Sequence, residues 1–470
     1  MQNATLEFYP NRIFRNSGKV YYYNILTNGL FEIDDDTLSF IKAAGKKPLE
    51  DVYAEMSDKW TGEFMDTLIQ DMKDSMVIKT PENSNNIKAI RNNKPQPSHA
   101  VSSLILFMVQ ECNLRCTYCY AGDGEYNDKG RMSIDVAKGA VDYLIRTSGE
   151  RKDLYLIFFG GEPLLNYNLV KETVLYAEQQ GQIHNKRFSF SMTSNGTLIT
   201  SEIEQFIIEH KIGVQISIDG DKETHDHNRF YKGRVGSYDK IIEKTEGLRK
   251  KRLLSARATV TNKQLNLSHT FEHLTQLGFR NIAMSPAAAM LTNDDYKTLI
   301  KENLKLIKEF ENLINEGNFE KAVKMKNVLG YLQKVNGGQT STYFCGAATN
   351  MLAVDIHGSL YPCHRFVSEK NYSLGDIYRG TSIKYDNFLD EVHVESRSTC
   401  TSCWARNLCT GGCHHENYVA NGTTQTPAEN YCKLTRAVFQ EIIYLYMRLT
   451  EEQKNKLFRS KKKEELQPTS

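Results

Sequence analysis

Between Leu104 and Pro286 the chain repeats one pattern: a short apolar run, a turn, then a longer amphipathic stretch. The runs 103–109, 154–159, 187–193, 213–218, 256–261 and 281–285 alternate with helical periodicities such as Ile134 to Ile145, Val170 to Glu178 and Tyr238 to Leu248. Strand-length runs separated by helix-length stretches predict parallel strands joined by helical crossovers. Six such units predict an α/β fold built on a partial (β/α)6 barrel. In parallel α/β architectures the chemistry gathers at the C-terminal ends of the strands, so the residues that close each run matter most.

The first run leads into Glu111-Cys112-Asn113-Leu114-Arg115-Cys116-Thr117-Tyr118-Cys119-Tyr120. Iron–sulfur clusters ordinarily take four Cys thiolates, so the three thiols of Cys112, Cys116 and Cys119 imply an iron with an open, substrate-facing position. A structural zinc is the competing reading, but zinc favours closed sets of four ligands and no fourth Cys or ligand-spaced His lies nearby. The second run closes on Gly160-Gly161-Glu162-Pro163, the third on Ser194-Asn195-Gly196-Thr197, and the fourth on Ser217-Ile218-Asp219-Gly220, followed by His225-Asp226 and Arg229.

Taken together, the CxxxCxxC spacing with Tyr118 before the third Cys and the three further motifs in this order resemble the radical S-adenosylmethionine (SAM) superfamily. The resemblance implies a 4Fe–4S cluster on Cys112, Cys116 and Cys119 whose open iron chelates SAM, with an external one-electron donor such as flavodoxin or ferredoxin. It further implies that Gly160, Gly161, Glu162 and Pro163 meet the SAM amino group, that Ser217 and Arg229 hold its carboxylate, and that Ser194 and Asn195 lie near its ribose. Tyr118 and Asp219 fall in the same cofactor-binding set. Thr261 and Met284, after the fifth and sixth strands, are candidate adenine contacts, although apolar strand ends more often belong to the core.

Seven more Cys occupy the C-terminal third: Cys345, Cys363, Cys400, Cys403, Cys409, Cys413 and Cys432. Their spacing resembles the SPASM domain that follows the barrel in peptide- and protein-modifying radical SAM enzymes. The resemblance implies two auxiliary 4Fe–4S clusters, one on Cys400, Cys403, Cys409 and Cys432 and one on Cys345, Cys363 and Cys413, for three clusters in all. The extra Cys of the sulfatase-maturing members has no counterpart in Thr340-Ser341-Thr342-Tyr343-Phe344, so the second auxiliary cluster is expected to keep an unfilled iron, for which a substrate thiolate is an apt ligand, with a water, a His or another side chain as the alternatives. His364 stands where those relatives carry a catalytic Asp. A zinc domain is the alternative for CxxC pairs. His414 and His415 read as surface residues or as neighbours of the ligands, and Trp404 as a cover over a cluster.

Residues 1–80 differ from the repeat. Lys19 to Leu26, Asn28-Gly29 and Leu30 to Ile33 predict a β-hairpin with a type I′ turn, followed by helical patterns at 36–44, 48–57 and 61–74 and a short strand at Met76 to Lys79. The order resembles the winged-helix element with which peptide-modifying enzymes bind a leader segment as an added strand; a plain structural cap is the alternative. Residues 81–100 read as a linker, 101–310 as the barrel, 311–440 as a bridging and SPASM unit, and 441–470 as a helix end with a charged tail around Lys461 to Lys463.

A net charge of +2 over 470 residues gives no basis for nucleic-acid binding. No apolar run approaches the roughly 18 residues of a membrane span, and no signal segment precedes the first strand, so a cytoplasmic protein is expected. Ten Cys in such a chain point to metal rather than disulfides. The expected activity is that of a peptide maturase that installs thioether crosslinks in a ribosomally made precursor, resembling sactipeptide and ranthipeptide enzymes, with carbon–carbon crosslinking and formylglycine formation as alternatives. A scaffold or electron carrier with a decayed barrel would lack the intact SAM motifs.

Overall fold

The computed structural model describes residues 5–85, 101–338 and 341–458. Strands β1 (Asn11–Asn16), β2 (Lys19–Asn24) and β3 (Leu30–Ile33) form an antiparallel sheet, followed by helices Asp35–Ala44, Leu49–Met56 and Gly62–Asp74. Tyr22 on one face of β2 packs with Phe40, Val52, Met65 and Met72. Phe14, Tyr21 and Tyr23 join the main core instead.

Three sequence expectations change here, the first being the short strand at Met76 to Lys79: only Ile78 pairs, in an isolated antiparallel bridge to Phe8. The β2–β3 connection is a five-residue loop rather than a two-residue type I′ turn, because β2 ends at Asn24, whose side chain accepts hydrogen bonds from the Leu26 and Thr27 amides at 2.9 and 3.3 Å. Positive φ is confined to Asn28, at 57°. Residues 81–85 are helical rather than linker, and buried Asn83 accepts a 2.7 Å hydrogen bond from Tyr9. The rest of the expected linker, 86–100, and the tail from 459 on lie outside the described residues.

The six expected units appear as parallel strands β4 (Ser103–Val109), β6 (Asp153–Gly160), β7 (Arg187–Ser194), β8 (Gly213–Ser217), β10 (Leu254–Val260) and β11 (Asn281–Pro286). They stand side by side in chain order, as helical crossovers of one hand require. Two short strands, β5 (Leu114–Cys116) and β9 (Arg229–Tyr231), leave this sheet to pair with each other. Capping side chains start the helices: Ser133, Thr200 and Asp221 each accept a hydrogen bond from the third residue on, a contact worth about 1 kcal/mol each.

Beyond β4 the sheet continues into the Cys-rich region. Strand β12 (Met351–Val354) runs parallel to β4, with Met351 opposite Ser103 and Val354 opposite Leu106, and β13 (Ser359–Tyr361) returns antiparallel. The barrel and the Cys-rich unit therefore share one ten-stranded mixed sheet. The expected boundaries at 310/311 and 440/441 fall inside helices Asn293–Asn315 and Glu429–Arg448. No helix among the described residues is long and apolar enough to cross a membrane.

Phe40 is fully buried at the centre of the N-terminal unit. Phe40→Ala should lower stability by about 3–5 kcal/mol, read as a lower urea midpoint; a shift equivalent to under about 1 kcal/mol would show that the helices repack around the cavity.

Candidate active site

The Cys loop is held on three sides at the C-terminal end of the sheet. Cys116 lies opposite Arg229 in the β5–β9 ladder, and the Thr117 amide donates to the Asn228 carbonyl at 3.0 Å. Against β6, the Gly161 amide donates to Val109 O at 3.0 Å and the Glu162 amide to Glu111 O at 2.9 Å. Gly160 has φ of 131°, and a Cβ there would stand 2.1 Å from Val109 O, so the close approach needs glycine. Against β7, Asn113 Nδ2 donates to Thr197 Oγ1 at 2.9 Å while Asn195 Nδ2 donates to Asn113 Oδ1 at 2.8 Å. Asn113 was not singled out in the sequence; no spacing rule marks it.

Asp219, at the end of β8, joins these parts. Its carboxylate accepts hydrogen bonds from Arg229 Nε at 3.1 Å, the Thr259 amide at 2.9 Å and the Tyr118 hydroxyl. Arg229 lies over the Tyr118 ring at 5.2 Å and points Nη1 at Cys116 Sγ, 3.8 Å away. Burial opposes the Arg229 charge, but Asp219, Tyr118 and Cys116 outweigh it and raise its pKa well above the ordinary value. His225, buried behind them, bridges the Asp219 amide and the Ser237 hydroxyl; burial pulls it down to about 4, so it is neutral. Ser217 lies half-buried on the inner face of the sheet, opposite Arg257.

Glu162 is turned away from the open end. One carboxylate oxygen accepts from the Leu164 amide and Ser194 Oγ at 3.1 and 2.8 Å, the other from the Asn195 amide at 2.6 Å. Its side chain braces β6 to β7, leaving the Gly160–Gly161 backbone at the rim. Pro163 opens the 3-10 turn that follows. Thr261 is buried and accepts from Asn228 at 3.3 Å, and Met284 shares the buried side of β11 with Ile282, so Met284 belongs to the core.

The remaining thiols gather as two sets. Burial raises the pKa of Cys345 and Cys363, and the neighbouring Cys413 sulfur raises both further; burial likewise raises Cys400, Cys409 and Cys432, each raised again by the neighbouring Cys403 sulfur. All ten Cys are free thiols. Burial, with Glu162 adding to it, pushes Cys112 up to about 12, and burial pushes Cys116 up to about 11 against the Arg229 cation, which lowers it. Thiols so placed ionise only beside compensating cationic charge, which iron supplies, and Cys112 Sγ already accepts from the Leu114 amide at 3.4 Å. The donor set therefore fits a cluster. Among the described residues no three His, Cys, Asp or Glu converge closely enough for a single metal ion; a polynuclear cluster separates its ligand thiols further than one ion does.

Tyr120 links the first set to the second: Cys119 and Cys363 both act on its hydroxyl electrostatically, and the Arg365 guanidinium lies 5.2 Å over its ring. Arg365 in turn pairs with Glu416 and donates to Cys413 Sγ at 3.7 Å. His364 packs against Phe159 at 4.7 Å, and burial lowers its pKa to about 3, making it a neutral imidazole. His414 and His415 are buried rather than on the surface: Arg397, itself buried, holds His414 Nδ1 at 2.9 Å and Gly411 O at 2.7 Å, and His415 packs against Phe366 and Tyr120. Trp404 packs against Phe14, Tyr23 and Arg12 of the N-terminal sheet. Two surface cavities, of about 570 and 620 Å³, lie beside Asp142 and Tyr176 and at the β7–β8 edge near Lys211, away from all three thiol sets.

Comparison with known proteins agrees with this arrangement. The model of the radical SAM superfamily matches residues 106–267. An uncharacterised protein of Methanocaldococcus jannaschii is 31% identical over 269 residues, covering 55% of this chain and 84% of its own length. A cysteine-type anaerobic sulfatase-maturating enzyme of Clostridium novyi is 25% identical over 369 residues, covering 73% and 96%. The solved structure of native anSMEcpe with bound AdoMet and Cp18Cys peptide has a similar fold, with a TM-score of 0.63 and 22% identity over 75% of this chain and 99% of that one.

Burial, partly offset by three hydrogen bonds, holds the Glu162 carboxyl up at about 7 against an ordinary 4.5. The folded protein then binds the extra proton between those values, so this group makes stability fall as pH rises from 4.5 to 7. Relative to the parent, Glu162→Gln should remove about 3 kcal/mol of that decline, measured by urea unfolding at pH 5 and pH 7.5. Parallel profiles for parent and variant would show that Glu162 titrates normally.

Proposed function

We propose, from the premise that this chain belongs to the radical SAM superfamily, that it is a peptide maturase installing thioether crosslinks, from Cys sulfur to carbon, in a ribosomally synthesised precursor. What supports this reading is the grouping, among the described residues, of three thiols, Cys345, Cys363 and Cys413, apart from the other four, with Tyr120 feeling both Cys363 and Cys119 of the first Cys loop. A substrate thiolate is the natural fourth ligand there.

SAM bound to a reduced 4Fe–4S cluster supplies a 5′-deoxyadenosyl radical able to take hydrogen from an unactivated carbon. The protein's share is placement. Cys112, Cys116 and Cys119 would hold the first cluster; Ser217 and Arg229 would receive the SAM carboxylate, with Asp219 and Tyr118 fixing the guanidinium; the Gly160–Gly161 backbone would meet the amino group; and Asn195, beside Ser194, would border the ribose. Cys345, Cys363 and Cys413, and Cys400, Cys403, Cys409 and Cys432, would hold two auxiliary clusters in a SPASM unit. Residues 1–80 would act as a winged-helix domain for the precursor's leader, whose strand could extend the β1–β2–β3 sheet at a free edge. Flavodoxin or ferredoxin would supply electrons.

Similarity to the sulfatase-maturating enzyme of Clostridium novyi favours formylglycine formation as a second reading. Neutral His364 counts against it, since an imidazole held near pKa 3 is a poor proton acceptor. Mass spectrometry of a Cys-bearing candidate precursor peptide, after anaerobic reaction with the enzyme, SAM and reductant, decides between them. Thioether formation predicts loss of two hydrogens and one alkylatable thiol per event. Loss of two hydrogens with every thiol intact would favour a carbon–carbon link. Conversion of a Cys to formylglycine would establish the second reading.

Cys112→Ala should abolish 5′-deoxyadenosine formation, whereas Cys400→Ala should leave part of it and block peptide product. Full product from the Cys400 variant would remove that residue from the cluster set.

A further inference from the structure

Burial alternates along β7, β8 and β10. Met192, Val214, Ile216, Ala256 and Ala258 are buried under the helices, whereas the residues between them are only half-buried. The inner wall of the sheet is thus incompletely filled, and it is polar: Ser191, Thr193, Gln215, Ser217, Arg257 and Thr259. Closed barrels fill this space with branched apolar side chains. An open polar lumen leading to the Cys loop is a place for a ligand.

Arg257 is the cation of this wall, in register with Ser217 on β8 and Ala283 on β11. Its charged neighbours are Arg365, Arg229, Cys413 and Tyr331, and burial together with the two arginines lowers its pKa. The carboxylates within that group are already engaged, Asp219 by Arg229 and Glu416 by Arg365. Among the described residues the Arg257 guanidinium has no hydrogen-bond or ion-pair partner. Cys413 and Tyr331 act on it electrostatically, but its N–H donors are unspent on a half-open wall, where an incoming carboxylate can take them. Arg229 lies beside Cys116 and Arg365 beside Cys413, so Arg257 stands between the first thiol set and the three-thiol set, where the reacting part of a peptide has to lie.

We propose that Arg257 holds a carboxylate of the bound peptide, so that this enzyme selects substrates with an acidic residue close to the reacting Cys. The inference rests on the peptide-maturase reading and names its substrate class. A planar guanidinium grips a carboxylate through two parallel hydrogen bonds, a match that neither Gln nor a single ammonium reproduces. Held there, the peptide is fixed at one point on the lumen wall while its Cys faces Cys345, Cys363 and Cys413.

The test uses the reconstituted full-length protein with SAM and a library of amide-capped nonapeptides, each with a central Cys and either Glu or Gln at one other position. Bound peptides are counted by mass spectrometry after equilibrium selection. Glu should be enriched over Gln by about 10- to 100-fold at one position or two, the range for a hydrogen-bonded charge. Arg257→Gln should erase the preference and Arg257→Lys retain part of it, with SAM affinity by calorimetry unchanged in both. No preference in the parent, or an undiminished one in Arg257→Gln, overturns the proposal. So does a shifted midpoint potential of an auxiliary cluster in Arg257→Gln with the preference intact, which would make Arg257 a counter-charge to the cluster. Crosslinking is scored separately: acid preference without thioether product would remove the chemistry and leave Arg257 in its role.

Discussion

The buried carboxylate of Asp219 is the contact on which the site depends. Through Arg229, the Thr259 amide and Tyr118 it ties together the β9 segment, β10 and the Cys loop from its own place at the end of β8. No water reaches this side chain, so each bond acts in a medium of low dielectric, and loss of one partner leaves an uncompensated charge worth about 3–5 kcal/mol. The geometry is correspondingly stiff. Tyr118 lies between Cys116 and Cys119 in the chain, so the same carboxylate that orients a guanidinium also fixes the loop that carries the thiols.

The N-terminal sheet uses its two faces for different partners. Tyr22 turns to its own helices, while Phe14, Tyr21 and Tyr23 turn to the core shared with the Cys-rich unit. Trp404 fills the contact, between Cys403 and the chain of β1 and β2, and Asn407 reaches the Ile25 and Leu26 carbonyls at 2.5 and 2.7 Å. The first unit and the segment that carries Cys403 are thereby joined by packed side chains.

The six parallel strands were readable to within two residues because each either runs apolar, as β4 and β6 do, or alternates apolar with polar, as β7, β8 and β10 do, and local composition suffices for that. The motif residues also fell where expected, at strand ends. Three things were not readable. Strand β1, Asn-Arg-Ile-Phe-Arg-Asn, has too few apolar residues to register as a strand and is specified by its pairing with β2. His414 is buried against Arg397, and His415 against Phe366 and Tyr120, partners that no periodicity announces. Glu162 faces β7 rather than the rim because Ser194 and the Asn195 amide converge on it from another strand. All three are long-range pairings, and a linear pattern carries no record of which distant groups will meet.

The parallel ladder between β12 and β4 has a consequence for how such a protein can vary. Cys345 and Cys363 flank the β12–β13 hairpin, and the first Cys loop leaves the end of β4, so the spacing between the two thiol sets is fixed by main-chain hydrogen bonds whose geometry is indifferent to side-chain identity. The helices Asn293–Asn315 and Lys326–Gly337, which lie between β11 and Cys345 in the chain, carry no thiol of either set. Change in their length or sequence reshapes what lies over the lumen while the ladder keeps the two thiol sets in register.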